Sequence, residues 1–221
     1  DATKARVVEF AQLNNFKPNA LAKSLKNQKS FTIGVILPNI LNPFFAKVFK
    51  GIEEKATKMG YNVVTAISNE SRQKEALMLD ILNNGIIDGF ILALAEETQE
   101  KEDFFHLNEV MKSGTPVVLF DRVSESIKCD KVIVDDYESA IDATNHLLKT
   151  TNKKIALIST IDNLSVGKLR ADGYLKALAD NNIPVNEKII LRTDSEEGLN
   201  ENIEASLELI KFKQLNTSFS K

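Results

Sequence analysis

The sequence is poor in the residues that do covalent chemistry. Of its 221 residues one is cysteine, Cys129, so no internal disulfide can form and a cysteine-based zinc site is disfavoured. Two are histidine, His106 and His146. Both fall in amphipathic helical patterns, which reads them as surface or boundary residues rather than a base or a ligand. No apolar run approaches the roughly 20 residues that a membrane-spanning helix requires, and the charged amino terminus lacks the apolar segment of a signal peptide. These absences point to the cytoplasm and to no membrane partner. There is no initiator methionine, so the natural start is expected to be missing. There is no G-x-x-x-x-G-K-[ST], no G-x-G-x-x-G and no G-x-S-x-G, so the phosphate cradles of nucleotide sites and the nucleophile elbow are missing. With no nucleophile, base or metal cluster in view, the chain reads as no enzyme, with no cofactor and no metal.

What is present is an ordinary globular composition. Apolar residues make up 43% and charged residues 27%, which argues against wholesale disorder. The formal charge of −3 is uneven. Residues 1–30 set Lys4, Arg6, Lys17, Lys23, Lys26 and Lys29 against Asp1 and Glu9, a balance of +4, leaving −7 on the rest. A basic leading segment on an acidic body suits a segment that meets a polyanion. A solvated basic terminus without a partner would look the same.

The stretch from Phe31 to Gly60 organises the chain. Ile33–Leu37 is a short unbroken apolar run, the signature of a strand buried on both faces of a parallel sheet. Pro38 and Asn39 stop it. Asn42 and Pro43 then supply an N-cap and a first helical residue. Phe45, Val48, Phe49, Ile52, Ala56 and Met59 follow at helical spacing. Strand and helix patterns keep alternating afterwards, with strands predicted at 63–67, 86–94, 116–120, 131–134, 154–159 and 188–191. The intervening helices are expected at 71–84, 100–113, 137–150 and 164–179, and a last one at about 199–211. Alternation at short spacing argues for right-handed crossovers and parallel sheets. Seven strands exceed one small unit, so the spacing predicts two sheets, the chain entering the second near 149–154. That second sheet looks unfinished. Ahead of the first strand, residues 1–14 read as a helix whose Val7, Phe10 and Ala11 lack a partner surface, and 20–26 as a two-turn helix with Leu25 among lysines.

Polar residues gather on the loops after strands, the edge at which open α/β sheets bind ligands. They are Asn39, Asn42, Asp121, Arg122, Asp135 and Asp136, joined by Phe44, Phe45 and by Arg170 on the helix after Ser159. Aromatics, carboxylates and an arginine around one cleft suit a small polar ligand such as a sugar. Core packing accounts for Phe45 equally well, and a surface salt bridge would explain Arg170.

Several of these segments together resemble one family. Thr3-x-x-Arg6-Val7, then Phe16-Lys17-Pro18-Asn19-Ala20-Leu21-Ala22-Lys23-Ser24-Leu25, then Thr32–Ile36 and Pro38-Asn39-Ile40-x-Asn42-Pro43-Phe44-Phe45 stand in order. Gly51-Ile52-Glu53, Gly60-Tyr61, Gly89, Pro116–Arg122, Val134-Asp135-Asp136, Thr144-x-His146-Leu147 and Arg170-x-x-Gly173-Tyr174 follow. Their order resembles the lactose-repressor (LacI/GalR) family of bacterial transcription regulators, from Thr3 to about Ile210.

The resemblance implies an α/β fold: a periplasmic-binding-protein-like core of two doubly wound parallel-sheet subdomains, the second incomplete, preceded by an all-α headpiece remnant and a hinge helix. Its divisions would be 1–16 for the remnant of the helix-turn-helix headpiece, 17–30 for hinge and linker, 31–150 for the first subdomain and 151–221 for the truncated second. Residues matching the DNA-contacting hinge are Asn19, Ala22, Lys23, Ser24, Leu25 and Lys26, with Leu25 as the wedge between bases. Residues matching the effector cleft are Phe44, Phe45, Asp121 and Arg170. The implied partners are operator DNA in the full-length protein, a small-molecule effector of carbohydrate type, and a second copy of the chain in a homodimer. The sequence departs from the family pattern in three places. It begins inside the headpiece, without the recognition helix, so it is not expected to read an operator alone. It ends before the second subdomain is complete. It carries Ser159-Thr160-Ile161-Asp162 where Gly-Pro is common. The alternatives are a transport-type sugar-binding protein, which should carry a signal peptide and no hinge, and a truncated remnant that does not bind DNA.

Overall fold

In the computed structural model, residues 2–14, 16, 29–85, 87–150, 155–159 and 161–192 are described. Helix α1, Ala2–Leu13, leads. Its Val7, Phe10 and Leu13 are exposed, as is Phe16 after it.

The first unit is a five-stranded parallel sheet in the order β2-β1-β3-β4-β5. Strand β1 is Thr32–Leu37, β2 Asn62–Ile67, β3 Gly89–Leu92, β4 Val117–Phe120 and β5 Asp130–Val132. The central strand is β1, as its unbroken apolar run requires: Val35, Ile36 and Leu37 are fully buried. Gly34 lies opposite Phe90 in the β1–β3 register. A methyl at Gly34 would fall 2.8 Å from the Phe90 ring, so only glycine lets that ring cover the sheet.

The crossovers follow the sequence signals. Helix α2, Pro43–Lys58, begins where Asn42 accepts a hydrogen bond from the amide of Phe44 at 2.9 Å. Helix α3 is Arg72–Leu82 and starts after Ser71. One helix expected over 100–113 is two: α4, Glu96–Lys101, and α5, Phe105–Lys112. The break has a local cause. Glu102 adopts a left-handed conformation, φ 48°, which ends α4, and Asp103 accepts from the amide of Phe105 and pairs with Arg72, restarting the chain as α5. The core splits across the sheet. Ile36, Leu79, Phe90, Leu107 and Leu119 pack on one side, and Val35, Leu37, Phe45, Ala93 and Phe120 on the other.

His106 departs from expectation. It is buried, with Nε2 2.7 Å from Glu75 Oε1. Glu75, fully buried on α3, also accepts from the amide of Ala95 at 2.6 Å and from the Thr98 hydroxyl at 2.8 Å. A buried carboxylate needs such donors. They tie the loop after β3 to α3 and α5.

The second unit holds strands β6, Leu157–Ser159, and β7, Ile190–Arg192, paired in parallel. Helix α7, Ser165–Asp180, covers them through Tyr174 and Leu178, which pack on Ile190 of β7. The Tyr174 hydroxyl donates to the carbonyl of Ile155 at 2.8 Å. Helix α6, Asp136–Thr150, packs on α7. At their crossing, a methyl on Gly173 would lie 2.4 Å from the carbonyl oxygen of Tyr137. Among the described residues, no helix is long and apolar enough to cross a membrane.

Candidate functional site

All five strands of the first sheet are parallel, so their carboxyl ends share one edge, and the loops leaving it carry the polar residues. After β1, Asn39 closes its own turn by accepting from the amide of Leu41 at 2.8 Å. Phe44, 46% exposed, stands at the start of α2. Phe45 is 1% exposed: it lies in the core, edge-on to Phe44 at 5.2 Å and to Phe120 at 6.1 Å. Its face supports Arg122, whose guanidinium carbon is 5.4 Å from the ring centroid.

Asp121 leaves the end of β4 with φ 57°. That region is unfavourable for a residue with a Cβ, although Asp tolerates it better than most. It turns the chain abruptly at the sheet edge, and the Asp121 amide is held by the carbonyl of Val132 at 3.1 Å. Arg122, 8% exposed, donates from Nη1 to Glu70 Oε2 at 2.6 Å. The same oxygen accepts from the amide of Glu96 at 2.9 Å. Glu70 thereby links the loops after β2, β3 and β4.

Arg170 projects from the second turn of α7, half exposed, and its Nε donates to Asp136 Oδ1 at 2.7 Å. Asp136 is buried at the start of α6. Asp121 feels both residues. Burial raises its pKa first of all, the charges of Arg122 and Arg170 pull it down, and that of Asp136 pushes it up. No hydrogen bond to the Asp121 side chain contributes.

The edges of the two units meet through side chains. Gln99 on α4 donates from Nε2 to the carbonyl of Val123 and to Ser165 Oγ, each at 2.9 Å, and accepts from the amide of Ser165 at 3.3 Å. Asn163 donates to Glu96 and, at 2.9 Å, to Glu100.

Of the four residues matched to an effector cleft, the structure brings Asp121 and Arg170 into one electrostatic neighbourhood, exposes Phe44 nearby on the same sheet edge, and seats Phe45 beneath Arg122. The hinge residues Asn19, Ala22, Lys23, Ser24, Leu25 and Lys26 lie outside the described residues. Glu70, Gln99 and Asn163 escaped the sequence reading, because nothing local marks a side chain whose partner is 52 to 67 residues away. A wide, shallow hollow lined by Met111, Gly114, Thr115, Lys128 and Asp130 lies at the opposite edge of the sheet. The amino ends of parallel strands are not where open sheets bind ligands.

Residues 30–209 match the family described as periplasmic binding proteins and sugar binding domain of LacI family. Catabolite control protein A of Priestia megaterium is 31% identical over 194 residues, covering 87% of this chain and 57% of that protein. Among solved structures, the transcription regulator CcpA of Lactococcus lactis is 28% identical with a TM-score of 0.65, over 79% of this chain and 64% of that one. The Cra transcriptional dual regulator of Pseudomonas putida, solved in complex with fructose 1-phosphate, is 27% identical with a TM-score of 0.63, over 74% and 57%. The chain thus spans less than two thirds of each. With a family match over most of its length and a parallel α/β fold shared with these regulators, the chain belongs to the LacI/GalR family and carries that family's periplasmic-binding-protein-like core.

Proposed function

We propose that this chain is the effector-sensing core of a transcription regulator whose affinity for operator DNA is set by a small polar molecule of carbohydrate type bound between the two units. The observation that carries this reading is the half-exposed Arg170, held by Asp136 at the start of α6, within reach of the charge of Asp121 at the end of β4. In the bound state Asp121 accepts ligand hydroxyls, Arg170 donates from its half-exposed fork and Phe44 offers an aromatic face to C–H groups. Phe45 acts indirectly, by supporting Arg122.

The remaining parts of the whole protein follow from the family. Residues 1–16 belong to the headpiece and 17–30 to the hinge, with Asn19, Ala22, Lys23, Ser24, Leu25 and Lys26 meeting DNA. The protein acts in the cytoplasm as a homodimer. We set the boundary between core units at 133–135 instead of 150, since α6 packs on α7. Ligand binding in such a protein biases DNA binding, and by linkage DNA biases ligand binding equally.

Calorimetric titration of the chain with a panel of monosaccharides tests the reading. Binding that Asp121→Ala and Arg170→Ala each weaken at least tenfold supports it. Binding that neither substitution touches overturns the assignment of the cleft.

A further inference from the structure

We propose that the molecule bound between the units carries no anionic group: it is a hydroxyl- or amine-bearing ligand, and a phosphate ester is excluded by charge. The inference rests on the cleft reading above and concerns only what that cleft accepts.

An anion needs either an unpaired cation or free helix amides. Among the described residues, each arginine at the facing edges already has one carboxylate partner. Arg122 is held by Glu70, Arg170 by Asp136 and Arg192 by Asp162. To grip a phosphate, each would have to abandon a carboxylate or share its charge with one. Arg122 is also buried on the Phe45 face, so it cannot swing out without leaving Glu70 and the ring.

At five helix starts one amide is already taken by a side chain. Asn42 caps α2. Glu97 accepts from the first amide of α3 at 2.8 Å, and Glu70 from the first amide of α4. Asp135 accepts from the amide of Glu138 in α6 at 3.0 Å, and Gln99 from the first amide of α7. Three of these five caps are carboxylates. They neutralise the positive end of the helix dipole that would otherwise draw an anion.

Asp121 is the group left over. Among the described residues, no hydrogen bond or ion pair reaches its side chain, although it is partly buried and feels the charge of Asp136. A partly buried carboxylate without protein donors is held at a disadvantage that an incoming O–H or N–H relieves. A ligand phosphate beside it would add a third negative charge in a partly dehydrated space. The shift in the Asp121 pKa agrees with this geometry, since burial is its largest cause.

The test offers the full chain matched sets of probes, each as free sugar, amino sugar and phosphate ester, for example glucose, glucosamine and glucose 6-phosphate. Binding is read by calorimetry at neutral pH and low salt, for the native chain, Asp121→Asn and Arg170→Ala. We expect, in any set that binds, the free or amino member to bind at least tenfold tighter than its ester. We expect Asp121→Asn to narrow the gap between amino and free members to less than threefold. A phosphate ester that binds tighter than its free parent, and loses binding in Arg170→Ala, overturns the inference and leaves the cleft reading intact. Ligands that bind equally well to native and both substituted chains, or a panel in which nothing binds, overturn both.

Discussion

Arg122 lies across the ring of Phe45, its guanidinium carbon 5.4 Å from the centroid, while its Nη1 holds Glu70 at 2.6 Å. One side chain therefore joins the helix after β1, the turn after β2 and the turn after β4. The bond is short and largely sheltered, so removing one partner strands the other. Arg122→Met keeps the packing volume and deletes the charge. We expect it to lower stability in urea unfolding by about 2–3 kcal/mol, the lower part of the range for breaking a buried pair, because Glu70 retains access to water. Glu70→Gln in the same background should recover part of that loss.

Glu75 satisfies three donors at once: the Ala95 amide, the Thr98 hydroxyl and His106. His106 Nδ1 is buried without a partner. Since the Glu75 oxygen accepts, the hydrogen of that contact sits on His106 Nε2. Glu75→Leu leaves three buried polar groups unmatched. The expected loss is about 3 kcal/mol or more, with faster amide exchange in the loop after β3 as the local readout. Glu75→Gln should lose less, because its carbonyl oxygen still accepts.

The Asp121 carboxyl has its pKa raised by burial. A carboxyl raised in the folded state stabilises that state in its protonated form. Its contribution is complete below the unfolded value of about 3.9 and disappears as pH climbs through the folded value. Asp121→Asn should therefore raise the thermal midpoint relative to the native chain at pH 7, and the difference should vanish near pH 3.5. Melting curves at matched ionic strength across that range decide it. A gain that is the same at every pH would mean that titration is not its source.

Gly173 and Gly51 form a matched pair for testing helix packing. A methyl at Gly173 meets the backbone of α6 at 2.4 Å, whereas nothing lies within 4 Å of one at Gly51. Gly173→Ala should destabilise the chain by about 1–3 kcal/mol through overpacking. Gly51→Ala, on the exposed side of α2, should stabilise it by about 0.5–1 kcal/mol through helix propensity. Urea midpoints for the two variants should move in opposite directions.

The sheet was legible because its signals are local. Ile33–Leu37 announces a buried parallel strand, Asn42-Pro43 a helix start and Gly60 its end, and all seven expected strands form. The split between α4 and α5 was not read, although Asp103 two residues before Phe105 is a recognisable side-chain cap. His106 fits an amphipathic pattern whichever way it faces, and only Glu75, 31 residues earlier, explains its burial. At the cleft, the residue types after each strand were legible. Their pairing was not: Arg170 meets Asp136 and Gln99 meets Ser165 through folding that sequence spacing does not encode.

Residues 133–135 are the one backbone link described between the units, and the side chains of Gln99 and Asn163 form a clasp beside it. Hydrogen bonds of this kind are worth about 1 kcal/mol each. A ligand of millimolar affinity already brings about 4 kcal/mol. The clasp is thus similar in strength to the grip of a weakly held ligand. In the effector-sensing role proposed above, a ligand seated between the units would offset the clasp by its binding energy alone.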